Sequence, residues 1–157
     1  MSNDFDFSEL EKYCAKFEKT TQEFETFLKK FLLQQAQRVV REAKLRTPVD
    51  TGALRNSWAI GSQKVVLKEK DGTSKKSHKP TMTIDLEHSD ITSIDVIGNI
   101  MEVEISNGME YASYVEYGHH SYEGRFMLTI AVDIVQNAME SRFKKEFMQF
   151  MKERGVG

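Results

Sequence analysis

The stretch TPVDTGALRNSW, residues 47–58, joins a helical first part of the chain to a strand-rich middle. Pro48 disfavours helical backbone in the residue before it, so a helix that reaches this point ends at Thr47. Gly52 permits left-handed or closely packed backbone, and Trp58 is a large apolar side chain suited to a core. The stretch therefore predicts a corner that joins a helix to a sheet.

The other side chains of this corner have local roles. Asp50 or Thr51 can cap a new helical turn, and Leu54 points toward the core. Arg55 can be read as a ligand-binding cation, but an arginine in this setting more often pairs with a carboxylate. We therefore predict that Glu116 is its partner.

Upstream of the corner, residues 7–46 contain no glycine or proline. Apolar residues recur there at spacings of three and four, which predicts one long amphipathic helix. At 1.5 Å per residue it would be about 60 Å long, more than a domain of this size covers, so part of it should pack on something else. The β-branched pair Thr20 and Thr21 is the weakest point and could divide it.

Downstream, residues 58–106 form a strand-rich region. Strand patterns occupy residues 58–68, 81–87 and 101–106, with a weaker one at 91–97. The Lys/Ser/Gly stretch at 69–79 predicts a long hairpin loop, and Asn107-Gly108 a tight turn after the third strand.

The last part of the chain returns to helical patterns. Residues 111–118 predict a short helical turn that ends at Gly118, and residues 125–152 an amphipathic helix. The expected fold class is α+β. A long N-terminal helix, a small antiparallel sheet with a long hairpin loop, and a C-terminal helix on one face form a single domain over residues 1–157.

Composition narrows the class of protein. A chain of 157 residues with 39% hydrophobic residues suits one globular core. No apolar run is long enough to cross a membrane, and the acidic start is unlike a secretory signal, so we expect no membrane partner and a cytosolic location. The single cysteine, Cys14, excludes an internal disulfide and is expected to be a buried small apolar residue.

Charge is unevenly distributed along the chain. Residues 29–79 carry thirteen Lys/Arg against four Asp/Glu, whereas residues 80–124 carry nine Asp/Glu and no Lys/Arg. Such blocks suit head-to-tail contact between copies, although folding can intermix them. The predicted contacts between copies are the exposed stripe of the long helix and the charge blocks: Phe17, Phe24, Phe27, Lys75, Lys76, Glu102 and Glu104.

Motifs for catalysis are missing from the sequence. It has no phosphate-binding glycine loop, nucleophile elbow or HExxH helix, so we expect no enzyme, no cofactor and no metal. A metal-dependent hydrolase around His119 and His120 is a remote alternative. Another is a small nucleic-acid-binding module that uses the Lys-rich loop at 64–79, which lacks an aromatic residue to stack on bases.

Two further motifs follow the corner: YASYVEYGHH at 111–120 and GRFML at 124–128. Together with TPVDTGALRNSW and the long helix, in this order and over roughly residues 30–150, they resemble the head-tail joining proteins of tailed bacteriophages, also called neck or tail-completion proteins. The family pattern falls on Thr47, Pro48, Asp50, Thr51, Gly52, Leu54, Arg55, Ser57 and Trp58, then on Tyr111, Ala112, Val115, Glu116, Gly118, Arg125, Phe126 and Leu128.

The resemblance implies a non-enzymatic virion component of a phage or prophage. It implies a homo-oligomeric ring that joins the capsid connector to the tail, with connector, head-completion and tail proteins as partners. Such a protein is expected in the host cytoplasm during assembly and in the virion neck or tail afterwards. DNA passes through the ring without specific binding, and we expect the acidic segment 80–124 to face the lumen or a subunit interface.

Overall fold

A computed structural model of the protein describes residues 8–61, 63–64, 94–98 and 100–155. Helix α1 is Ser8–Arg46. It is the long N-terminal helix that the sequence predicts, and it continues through Thr20 and Thr21, so the possible division there does not occur. The helix-propensity penalty of a threonine is only a few tenths of a kcal/mol, about 0.7 at most, and the turns on both sides outweigh it.

Helix α4, Met127–Glu153, packs antiparallel against α1. Near its C-terminal end, the Phe27 and Phe150 ring centroids are 4.7 Å apart, and Arg154 Nε donates to Glu23 Oε2 at 2.6 Å. Residues 8–22 of α1 continue for about four turns past that ion pair. The two helices thus form a rod with α1 as the longer member.

The core lies between the C-terminal half of α1, the corner and the N-terminal half of α4. Apolar side chains on one face of each helix meet there, and each large one contributes about 1.5–3 kcal/mol when fully buried. The core residues are Leu33, Ala36, Val39, Val40, Ala43, Leu54, Trp58, Ile60, Ile94, Met127, Ala131 and Val135.

Short antiparallel strands cover this core. After α2, Ala53–Asn56, strand β1 (Trp58–Ile60) lies between β2 (Gln63–Lys64) and β5 (Ile105–Asn107). Strands β3 (Ile94–Ile97) and β4 (Ile100–Val103) form a separate pair.

The predicted single strand over residues 101–106 is divided at Glu104. The residues before it pair with β3, those after it pair with β1, and the Glu104 carbonyl accepts a hydrogen bond from Gly61 N at 2.8 Å. The predicted strand at 81–87 and the hairpin loop at 69–79 lie outside the described residues.

A compact turn connects the strands to α4. Helix α3, Ala112–Tyr117, runs directly into a hairpin of β6 (Gly118–His119) and β7 (Tyr122–Glu123). The α+β class, with a long first helix, small antiparallel sheets and a C-terminal helix, is as the sequence predicted.

Candidate interaction surface

The end of α1 is fastened to the start of β1 by two hydrogen bonds. Thr47 Oγ1 donates to the Ala43 carbonyl at 2.7 Å and accepts from Trp58 Nε1 at 3.0 Å. Both Thr47 and Trp58 are buried, so the indole N–H has a partner where water does not reach it. The threonine and tryptophan of the 47–58 motif are therefore structural.

The rest of the corner is held in the same way. Gly52 has a φ of 79°, a left-handed conformation that suits glycine, and Thr51 Oγ1 accepts from Ala53 N at 3.4 Å. The Asn107 side-chain amide donates to the Leu54 carbonyl at 2.8 Å, which ties the corner to β5. The motif thus fixes the angle between α1 and the sheet.

Arg55 lies near Lys44, which is almost completely buried. Burial lowers the pKa of Lys44, and the Arg55 guanidinium lowers it further. Among the described residues, no ion pair joins Arg55 to Glu116. The predicted pairing of Arg55 with Glu116 was therefore wrong.

Glu116 instead caps the N-terminus of α4. Its carboxylate accepts hydrogen bonds from Leu128 N at 3.0 Å, Thr129 N at 2.9 Å and Thr129 Oγ1 at 2.7 Å. The first backbone N–H groups of a helix lack intrahelical partners and favour a negative charge. Glu116 is 7% exposed, so this cap works away from bulk water.

Two glycines allow the hairpin to close against α3. A Cβ on Gly118 would lie 2.5 Å from the Tyr122 carbonyl oxygen, and one on Gly124 would lie 2.5 Å from the Glu116 carbonyl oxygen. Arg125 N donates to the Val115 carbonyl at 2.7 Å. Gly118 has the predicted role of ending α3, with a φ of 86°. The hairpin backbone is therefore closely packed against α3.

This closely packed turn presents aromatic side chains to solvent. Tyr111, Tyr114, Tyr117 and Tyr122, here named the tyrosine surface, are 41%, 55%, 72% and 80% exposed. The His119 ring lies 4.7 Å from Tyr114 and 3.9 Å from His120, centroid to centroid. Large exposed aromatic groups on a fixed scaffold are typical of protein interfaces.

The surroundings of the tyrosine surface are acidic. Glu110 and Glu123 adjoin it in sequence and are exposed, as are Glu102 and Glu104. In the β3–β4 pair, Asp95 lies directly opposite Glu102, and two like charges in such positions destabilise a sheet. Next to the tyrosines themselves, the exposed charged groups are Glu110, Glu123 and Arg125, two carboxylates and one guanidinium.

The predicted contact residues of α1 need a correction. Phe24 and Phe27 are partly buried by α4 of the same chain, with Phe24–Phe147 and Phe27–Phe143 centroid distances of 5.8 and 6.0 Å. They are therefore not an exposed stripe. The side chain of Phe17, together with Lys75 and Lys76, lies outside the described part of the chain, and the contact roles of all these residues stay predictions.

A second surface feature lies at the C-terminal end of α4 and is here named the methionine groove. Its described lining comes from this end of the chain alone and consists of Lys145, Phe147, Met148, Gln149, Met151, Lys152, Glu153 and Gly155. Met148 is 71% exposed, and both lysines are exposed. The exposed carboxylate of Glu153 lies among these lysines, so the groove carries both signs of charge. Methionine side chains adapt to varied partners.

Within the described residues there is no group of three or more His, Cys, Asp and Glu side chains that could hold a metal ion. Among the described residues, no helix is both long enough and apolar enough to cross a membrane.

Sequence reasoning missed the exposure of Tyr117 and Tyr122 and the groove around Met148. A signal for the first was available, because four of the five tyrosines fall within residues 111–122. The groove around Met148 could not be predicted, because a methionine at helical spacing is as typical of a core as of a surface.

Comparison with protein families gives one match. The family model HK97-gp10_like, described as "Bacteriophage HK97-gp10, putative tail-component", matches residues 11–118, which extend from α1 to the end of α3. Searches of curated proteins and of solved structures gave no match. The match includes the 47–58 corner and most of the tyrosine surface. The family description favours a structural role in phage particles over a catalytic one. The chain belongs to the HK97-gp10-like family of bacteriophage tail components.

Proposed function

We propose that this protein acts at the head-tail junction of a tailed phage or prophage, as a ring of identical copies that joins the capsid connector to the tail. The observation that carries the proposal is the family match over 11–118, combined with an exposed tyrosine surface inside and just beyond it. The protein would work by fitting against other virion proteins and would catalyse no reaction.

The fold suits such a role because its two long helices hold distant surfaces at a fixed separation. The tyrosine surface adjoins the start of α4, and the methionine groove lies at its other end. A helix of 27 residues is about 40 Å long, so one copy can bind neighbours at two separate places.

DNA would pass through the ring without specific binding. The described residues from 94 to 124 carry carboxylates and no Lys or Arg, and such a lining repels phosphates. Assembly would take place in the host cytoplasm, and the mature protein would reside in the virion neck or tail.

The direct test removes the gene from the phage or prophage and images the particles in the lysate. We expect filled heads and separate tails that do not join, and we expect the gene supplied in trans to restore joined particles. Complete, infectious particles in the absence of the protein would contradict the proposal.

The nucleic-acid alternative is distinguished by salt dependence. A module that used the Lys-rich loop at 64–79 would bind free DNA and lose affinity steeply as salt rises. A joining protein should show negligible binding to free duplex DNA even at low salt, measured by fluorescence anisotropy. Tight, salt-sensitive binding would favour the alternative.

A further inference from the structure

We propose that three arginines of one copy, Arg38, Arg41 and Arg55, bind Asp95 and Glu102 of a second copy. The arginines are here named the arginine cluster, and the two carboxylates the acidic pair. The inference rests on the proposed ring and deepens it, because it names two surfaces that would meet between copies. It goes beyond the predicted contact residues, which include Glu102 but no arginine.

The arginine cluster lies where α1 meets the corner. Arg38 and Arg41 are three residues apart on α1, so their side chains are neighbours on the helix surface. Arg55, on α2, lies near Lys44, which is one turn beyond Arg41. All three arginines are partly exposed, so a group from outside the chain can reach them.

The arginine cluster lacks carboxylate partners within the described part of the chain. None of the ion pairs there includes Arg38, Arg41 or Arg55. The Nε atoms of Arg38 and Arg41 are buried and have no hydrogen-bond partner, which is unfavourable for a charged donor. Of the carboxylates nearby in sequence, Glu42 pairs with Arg46 at 2.7 Å, which leaves only Asp50.

The acidic pair has the opposite imbalance. Asp95 and Glu102 lie directly opposite each other in the β3–β4 pair, and both are exposed. Residues 80–124 contain no Lys or Arg, and the ion pairs of the described residues use neither carboxylate. Like charges in such positions repel, so a cation from outside the chain would stabilise this strand pair.

The two groups point away from the core in different directions. Arg38 is two residues from Ala36, a core residue, so it lies on nearly the opposite side of α1. Met101 and Val103 of β4 pack against the core, so Glu102 between them points outward from the strand pair. A contact between the two groups therefore joins different copies. Because it uses two different surfaces it is head-to-tail, and it generates a ring when the rotation between copies closes.

The chemistry of the two groups is complementary. A guanidinium is planar and always charged, and it presents paired N–H donors that match the two oxygens of a carboxylate. Two arginines one turn apart can each take one carboxylate of a pair that faces itself across two strands. Such a contact satisfies the donors of the cluster and neutralises the repulsion in the acidic pair in one step.

The test uses the full chain and two variants that each reverse one group. One is Arg38→Glu with Arg41→Glu, and the other is Asp95→Lys with Glu102→Lys. Sedimentation velocity on concentrated protein should show oligomers for the wild type that weaken as salt rises, and association at least about tenfold weaker for each variant.

The decisive sample is one chain that carries all four substitutions. Its net charge is that of the wild type, −2, since the two pairs of substitutions cancel. Attraction between the two groups is restored with the signs exchanged, so this chain should associate again. Non-specific effects of net charge do not predict that recovery.

A second readout separates association from folding. Glu102→Lys alone should weaken association while it stabilises the folded chain, because it relieves the repulsion from Asp95. The matched control is Lys145→Glu with Lys152→Glu, which makes the same change of charge as the arginine variant at exposed positions of α4. It should associate like the wild type, and circular dichroism should show that every variant is folded.

Three results would overturn the inference. They are a wild type that stays monomeric at the highest concentration, undiminished association in either reversed variant, and a four-substitution chain that associates no better than those variants. Salt-sensitive binding of a short DNA duplex that only the arginine variant loses, with its self-association intact, would assign the cluster to phosphates instead. These outcomes concern free protein, so the particle images of the deletion phage decide the proposed function separately.

Discussion

Glu116 is the residue on which the geometry of the tyrosine surface depends most. It accepts three hydrogen bonds from the start of α4 while it belongs to α3. Glu116→Ala should lower the free energy of unfolding by about 2–3 kcal/mol, because buried donors lose a charged acceptor. Urea denaturation measures this, with the exposed Glu123→Ala as a control that should change stability by no more than about 0.5 kcal/mol. Equal effects of the two substitutions would contradict the capping role.

Lys44 is expected to make the stability of the protein depend on pH. Burial, with a contribution from Arg55, lowers the pKa of Lys44 below its ordinary value of 10.5. At pH values between the folded and unfolded pKa, the unfolded chain binds the extra proton, so stability should rise as pH increases through that window toward 10.5.

Lys44→Met isolates this effect from other titrating groups. The free energy of unfolding of the wild type minus that of the variant should increase from neutral pH to alkaline pH. A difference that stays constant or decreases with pH, measured by urea denaturation at a series of pH values, would show that the Lys44 pKa is not lowered.

Between elements, the phenylalanines of α1 and α4 form the main contact at the far end of the rod. Phe27 and Phe150 are the closest pair in this cluster, at 4.7 Å. Phe150→Ala should lower the free energy of unfolding by about 3 kcal/mol. A double-mutant cycle with Phe27→Ala should give a coupling of about 0.5–1.5 kcal/mol. Met148→Ala, two residues away on α4 and exposed, is the control for stability.

The same cycle tests the sequence-based idea that Phe27 contacts another copy. If the ring acts only within the chain, the coupling energy will not depend on protein concentration. A coupling energy that increases with protein concentration would indicate that Phe27 also contacts another copy.

The β3–β4 pair places two carboxylates of like charge opposite each other. Asp95 and Glu102 are directly opposite each other and exposed. Glu102→Lys should stabilise the folded chain by about 0.2–1 kcal/mol, because it converts repulsion into attraction. Glu104→Lys, which makes the same change of charge outside the strands, should have a smaller effect. Thermal melting compares the two, and a destabilised Glu102→Lys would contradict the prediction.

Reversing these charges should impair assembly of the phage or ejection of its DNA. We expect phage with Glu102, Glu104 and Glu110 replaced by lysine to eject DNA slowly or to stall in assembly, because the acidic side then attracts phosphates. Normal ejection kinetics by these phage would count against an acidic lumen or interface.

Local signals predicted local structure well. The proline after Thr47 and the glycine at 118 mark the ends of α1 and α3, since each acts through its own backbone. The role of Glu116 was missed because its partners are twelve and thirteen residues away, across a hairpin. The packing of Phe27 on Phe150 spans more than a hundred residues, and the helical periodicity of α1 shows an apolar stripe without showing what covers it.

At the scale of the molecule, a rod with unlike ends can form a closed ring only if each copy binds its neighbours in the same way. The proposed ring would meet that condition if the same contact were repeated between every pair of neighbouring copies. For a member of a phage tail-component family, we expect specificity to come from such surfaces.

The most direct measurement is an averaged electron-microscopy reconstruction of the particle neck. The account predicts a ring of density between capsid and tail into which copies of the antiparallel α1–α4 pair fit, with the protein present in the same particles by mass spectrometry. A neck with no density for this chain, in particles that lack the protein, would contradict it.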